Sequence, residues 1–167
     1  MRCRELSMCM LLMLTVLVSF TPVSAETIYN LHIENPLCTD GEGGWSFSYT
    51  SPSSLGEYAS DTYYSSPSSL RISSTDGSNA SAYQTWSEAV YYSSLTFYAK
   101  KYPYTSGGTV KVYVYNGSSW VYVGSVTAGS SWSQYSVAVN DHVYGVKFTV
   151  EDDNGVYIDD VFGEPLH

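Results

Sequence analysis

Apolar and polar residues alternate with a period of two along most of the chain after Glu26, and no stretch there repeats apolar residues at three- and four-residue spacing over several turns. The pattern predicts strands over Thr27–Ile33, Trp45–Tyr49, Ser69–Ser73, Ala80–Trp86, Ser94–Lys100, Thr109–Tyr115, Trp120–Ser125, Gln134–Val139, Tyr144–Val150 and Val156–Phe162. Short strands at this density, punctuated by Gly, Ser, Asn and Pro, predict an all-β fold: a two-sheet antiparallel β-sandwich of the jelly-roll kind. Thr50–Pro67 is rich in Ser, Tyr and Pro without clear alternation and is expected to form a long loop.

The most informative stretch runs from Thr109 to Val123 and carries Asn116-Gly117 between two alternating segments. Both residues tolerate the positive φ that a tight hairpin turn demands, so the stretch predicts a hairpin. A two-residue loop sets Tyr113 opposite Trp120 and Lys111 opposite Tyr122, whereas a four-residue loop sets Tyr115 opposite Trp120 and Tyr113 opposite Tyr122. Either register puts Val110, Val112, Val114, Val121 and Val123 on one face and Lys111, Tyr113, Tyr115, Trp120 and Tyr122 on the other. The aliphatic face is expected to enter the core. Leu95, Phe97 and Ala99 divide in the same way from Thr96, Tyr98 and Lys100. The outer face then offers flat rings with polar tips, a stacking platform for sugar rings, formed by Tyr98, Tyr113, Tyr115, Trp120 and Tyr122 with Lys111 among them.

The N-terminus changes the picture of where this fold works. Arg2 and Arg4 precede an apolar run from Leu6 to Phe20, and Val23-Ser24-Ala25 supplies small residues for cleavage. Residues 1–25 therefore read as a signal peptide, an uncleaved anchor being the alternative, and residues 26–167 as one β-sandwich domain that is secreted or held at the cell surface. No later stretch is apolar and long enough to span a bilayer. With 7 basic against 16 acidic residues and a formal charge of −9, the chain lacks the clustered Lys and Arg that nucleic acid or anionic lipid requires. Cys3 and Cys9 leave with the leader, so Cys38 is alone and no intramolecular disulfide is expected.

From Asn35 onward the order of landmarks resembles the galactose-binding-like jelly rolls, above all carbohydrate-binding modules of the cellulose- and xylan-binding type. Asn35-Pro36-Leu37-Cys38, Gly44-Trp45, Ser69-Leu70-Arg71-Ile72, Leu95 to Lys100, the hairpin, Trp132 to Tyr135 and Val156-Tyr157-Ile158-Asp159-Asp160-Val161 carry the likeness. The resemblance implies a structural calcium ion held by Asp159, with Asp160 beside it and a glutamate near the N-terminus. Cys38 or Thr39 occupies that glutamate position, which leaves Glu34, Asp40 or Glu42 to supply the carboxylate. Some relatives place a ligand-binding carboxylate at the end of the penultimate strand. Glu151 stands there, in phase with Lys147 and Thr149 and opposite Val146, Phe148 and Val150. The cluster Glu151-Asp152-Asp153-Asn154-Gly155 is a second cation candidate that reads first as an acidic turn.

Catalytic signatures do not follow. The spacing of His32, His142 and His167 fits no usual zinc motif, and the chain has neither a Gly-x-Ser-x-Gly elbow nor a phosphate-binding glycine loop. The sequence therefore predicts a non-catalytic module that binds polysaccharide or glycan. The rival is a structural or adhesive surface or virion protein, using the same aromatic face for a protein partner or for self-association. Carbohydrate modules usually serve an enzyme on the same chain, and the lack of one here favours the rival. Asn79-Ala80-Ser81 and Asn116-Gly117-Ser118 fit the glycosylation sequon.

Overall fold

Alternating burial along the chain closes into eight strands in a computed structural model that describes residues 33–65 and 67–165. They are β1 (Ser46–Tyr49), β2 (Leu55–Ala59), β3 (Ser69–Ser73), β4 (Asn79–Lys101), β5 (Thr109–Tyr115), β6 (Trp120–Thr127), β7 (Ser133–Glu151) and β8 (Gly155–Glu164). The expected leader and, apart from Ile33, the expected strand Thr27–Ile33 lie outside the described residues. Two predicted strands, Ser69–Ser73 and Thr109–Tyr115, coincide with β3 and β5.

The hydrogen-bonded path runs β2-β3-β8-β4-β7-β5-β6, with β1 added to β4, and every strand pair is antiparallel. Asn79 to Thr85 of β4 pairs with the second half of β7 and with β1, whereas Ser94 to Ala99 pairs with the first half of β7 and with β8. The β4–β7 ribbon is thus shared by two layers, β1–β4–β7–β5–β6 and β2–β3–β8–β4–β7, which makes the fold a jelly-roll β-sandwich. The ribbon changes layers where the register shifts, between Thr85 and Val90 and between Tyr92 and Ser94. Gly145 sits at this crossing because a Cβ there would come within 2.6 Å of the Gln84 carbonyl oxygen. Its neighbour Gln84 is buried and satisfied, since the side-chain amide accepts from Glu34 N at 2.8 Å and donates to Glu34 O at 3.2 Å.

The core fills the space between the layers. Leu95, Phe97 and Ala99 project from one layer, and Val146, Phe148, Val150, Val110, Val112 and Val114 from the other, all of them buried.

Three expectations about elements are corrected. Ala80–Trp86 and Ser94–Lys100 are parts of one strand, as are Gln134–Val139 and Tyr144–Val150, because backbone pairing continues through Val90, Tyr91 and Tyr92 although the side-chain alternation there is broken. Thr50–Pro67 is not a single loop, because it contains β2, whose pattern Leu-Gly-Glu-Tyr-Ala carries little strand signal and is held by pairing with β3. Tyr58 anchors it, packing edge-on against Phe47 at 5.5 Å and donating its hydroxyl to Gly43 O at 2.7 Å.

Val121 leaves the core face expected of it. The hairpin adopts the four-residue-loop register, with Tyr115 opposite Trp120 and Tyr113 opposite Tyr122, and then shifts so that Val112 meets Gly124. β6 is the last strand of the path, and Val121 on it is 42% exposed while its partner Val114 is buried.

Candidate functional site

Residues paired across antiparallel strands share a face, so the register builds the outer surface of the β1–β4–β7–β5–β6 layer as rungs. One rung is Ser46, Tyr83, Lys147, Tyr113 and Tyr122, and the next toward the chain-turn end is Thr85, Gly145, Tyr115 and Trp120. On the other side come Ser48, Ser81, Thr149 and Lys111, then Asn79 with Glu151. Some of these side chains line a groove of about 560 Å³, with Tyr83, Tyr113, Trp120, Lys147 and Glu151 on its walls and the buried Ser81 and Thr149 on its floor.

The groove is aromatic at one end and polar along its floor. Tyr83 meets Trp120 edge-on at 6.2 Å, Tyr115 leans on Trp120 at 5.3 Å, and Tyr122 meets Tyr113 edge-on at 5.7 Å. The Lys147 ammonium lies 4.6 Å from the centroid of Trp120 and 4.8 Å from that of Tyr113. Burial lowers its pKa below the usual lysine value. Ser81 and Thr149 share a hydroxyl–hydroxyl bond of 2.9 Å. Lys111 donates to Glu151 Oε2 at 2.5 Å, and this bond raises the lysine pKa.

The hairpin that carries four of these rings is held by its turn. Asn116 Oδ1 accepts from Ser118 N at 3.0 Å and Ser119 N at 2.9 Å, and Gly117 takes φ 92°, where a Cβ would press on the Tyr144 ring at 3.1 Å.

Of the predicted ligand-binding residues, Tyr113, Trp120 and Glu151 line this groove, Lys111 pairs with Glu151, and Tyr115 and Tyr122 pack against the rings on the same face, outside the groove lining. Tyr98 is elsewhere. It lies on the second half of β4, paired with Asp159 and Gln134 in the other layer, and the loop after β2 lays Tyr64 flat on it at 3.6 Å. The parity of Tyr98 was legible from its strand, but the bend that carries one strand through both layers was not. Tyr83 and the role of Lys147 were not expected from the sequence. The alternation of Ala80 and Ala82 with Ser81 and Tyr83 is the signal that marks the former.

The acidic residues expected to hold calcium do not form a cage. Asp159 is fully buried, and its carboxylate accepts backbone N–H bonds from Tyr64 at 2.8 Å, Ser65 at 3.2 Å and Asp160 at 2.9 Å. Asp160 has φ 46° and accepts the Ser65 hydroxyl. Burial raises the Asp159 pKa against the pull of those three donors. The nearby Cys38 thiol is buried, and its pKa is raised by burial and then by the charge of Asp159. Asp40 donates its backbone N–H to Ser68 Oγ at 2.5 Å, and Glu34 binds the Gln84 amide through its main chain. Among the described residues no three His, Cys, Asp or Glu side chains gather. A thiol where a hard cation needs oxygen, and a carboxylate taken up by amide donors, do not fit calcium. The second cluster is a turn, with Asp152 and Asp153 at positive φ and the Asn154 amide donating to Glu151 O at 2.6 Å.

Solved structures resemble this arrangement of strands. The family 11 carbohydrate-binding module of a cellulosomal cellulase of Clostridium thermocellum superposes with a TM-score of 0.53 at 12% identity, over 74% of this chain and 89% of that one. A family 11 module from the same organism in complex with a β-1,3-1,4-mixed-linked tetrasaccharide gives the same score and identity, over 74% and 90% of the two chains. The K2 cleaved adhesin domain of Lys-gingipain gives 0.55 at 14%, over 71% and 88%. No protein-family model and no curated protein sequence matches the chain. The likeness is one of fold, the jelly roll of carbohydrate-binding modules.

Proposed function

We propose that this chain is a secreted, non-catalytic module that binds carbohydrate in the groove on the β1–β4–β7–β5–β6 layer. The observation that carries this reading is the placing of Tyr83, Tyr113 and Trp120 around a floor of Ser81, Thr149 and Asn79. A sugar presents an apolar C–H face and a rim of hydroxyls, and a groove with rings on its walls and hydroxyls and an amide on its floor answers both. The fold shared with carbohydrate-binding modules supports the same reading.

The chemistry of the groove supports binding without bond cleavage. Glycoside hydrolysis ordinarily uses two carboxylates facing each other across the bond, and Glu151 is the one carboxylate among the described residues lining the groove. It is also paired with Lys111. Secretion rests on the leader-like residues 1–25.

Protein adhesion is a second reading, favoured by the opposite layer. There Tyr64 stacks on Tyr98 and approaches Trp132 at 6.2 Å, Tyr64 is 45% exposed and Tyr104 is 83% exposed. The adhesin domain among the fold neighbours agrees with it.

A glycan array run beside sedimentation of the same protein tests both readings. Saturable glycan binding by a monomer supports the module. Concentration-dependent assembly without binding to any glycan supports adhesion and removes the first reading.

A further inference from the structure

Three charged side chains line or border the groove, and they are not equivalent. Lys111 and Glu151 neutralise one another. The ammonium of Lys147 has no carboxylate and no hydrogen-bond acceptor among the described residues, only the faces of Tyr113 and Trp120. Desolvation is the cause of its lowered pKa, and no neighbouring anion counters it. The surplus charge of the groove is therefore one cation, in a chain whose formal charge is −9.

The position of that cation matters as much as its sign. Lys147 stands in the middle of its rung, between Tyr83 and Tyr113, with Trp120 beside it. A sugar stacked on Trp120 or Tyr113 carries its ring substituents to within reach of the ammonium. The two rings already hold the ammonium in place, so little further ordering is needed when an anion arrives.

We infer that the glycan bound in this groove is acidic, carrying a carboxylate or sulfate group that meets Lys147 while its sugar ring stacks on Trp120 or Tyr113. The inference rests on the carbohydrate-binding reading and narrows it. The acidic surface limits what kind of polyanion is accepted. Charges more than about 8 Å apart are largely screened at physiological ionic strength, so one anion beside Lys147 is favoured locally, while a densely charged polymer is repelled by the rest of the surface.

The test is an array of matched oligosaccharides on the full chain: a neutral oligomer, the same oligomer with a free uronate, its methyl ester, and a version with a sulfate ester. The free uronate should bind about five- to tenfold more tightly than its methyl ester, as one partly screened ion pair allows. That preference should shrink with added salt, vanish in Lys147→Met and persist in Lys147→Arg. Preference for the sulfate ester over the uronate would assign the anion to sulfate. Equal binding of acid and ester overturns the inference, as does an acid preference that survives in Lys147→Met. Binding of the neutral oligomer alone overturns it while leaving the carbohydrate reading intact, and failure of all four oligomers removes both. Should Lys147→Met disturb Trp120 packing, Lys147→Arg still decides, because loss of acid preference with the charge retained also counts against the inference.

Discussion

Phe97 and Phe148 meet edge-to-face at 4.9 Å, one ring from each layer of the sandwich. Phe148 also leans on Trp45 at 5.9 Å, so it joins the layers to the segment before β1. Both phenylalanines are fully buried. Phe148→Ala is expected to cost roughly 3–5 kcal/mol, from lost transfer energy plus the cavity left behind. Urea unfolding measures it. A cost under about 1 kcal/mol would mean that the layers are not joined at this point.

The shift in the β5–β6 register makes two valines of one hairpin unequal. Val112 is fully buried and Val121 is 42% exposed. Val112→Ala should therefore cost about 1–3 kcal/mol, whereas Val121→Thr should stay within ~0.5 kcal/mol. Equal losses in thermal melts of the two variants would place Val121 in the core and contradict the observed register.

Much of the fold was legible because local alternation and global burial agree. In β5 every second residue is a buried valine and every other an outward polar or aromatic residue, so the strand could be bounded from sequence alone. The candidate groove was legible by half. Parity fixes which way a residue points relative to its own strand, and this placed Tyr113, Trp120 and Glu151 correctly on an outer face. It does not say which layer that face belongs to. Tyr98 obeys the same parity, yet the β4–β7 ribbon bends between Thr85 and Ser94 and delivers it to the opposite side. Val121 was misplaced for a related reason, since alternation cannot show where the covering layer ends. Pairing of Asp159 with backbone amides depends on a loop that has no signature in the sequence.

Asp159 gives the stability an unusual pH dependence. Burial raises its folded-state pKa, so the native state holds this proton more tightly than the unfolded chain does. The resulting contribution is fully present below the unfolded value of about 3.9 and is lost as pH rises through the raised folded value. Wild type should therefore gain stability relative to Asp159→Asn as pH falls from 7 toward about 4. Denaturant midpoints at both values check the sign, and a relative loss on acidification would be the opposite of what burial requires. The same melts with calcium and with a chelator should coincide, because three N–H donors already occupy the carboxylate. A fall in melting temperature on chelation would restore a cation to this position.

The proposed binding face is separated from its opposite by the contrast between Trp120 and Tyr98. Trp120 borders the groove, packs loosely against Tyr83 and Tyr115, and stands away from the aliphatic core. Trp120→Ala should weaken glycan binding by about 1–3 kcal/mol, as a central stacking anchor does. Its folding cost should be smaller, because what it loses is cross-strand pairing, worth roughly 0.2–1 kcal/mol. Tyr98 is stacked under Tyr64 on the other layer, so Tyr98→Ala removes that contact and loosens the loop over Asp159 without touching the groove. Its glycan affinity should match wild type while its melting temperature falls. Calorimetric titration of both variants with one glycan decides the matter. If Tyr98→Ala abolishes binding and Trp120→Ala leaves it unchanged, the ligand sits on the β2–β3–β8–β4–β7 layer, and the groove beneath Trp120 loses its assigned role.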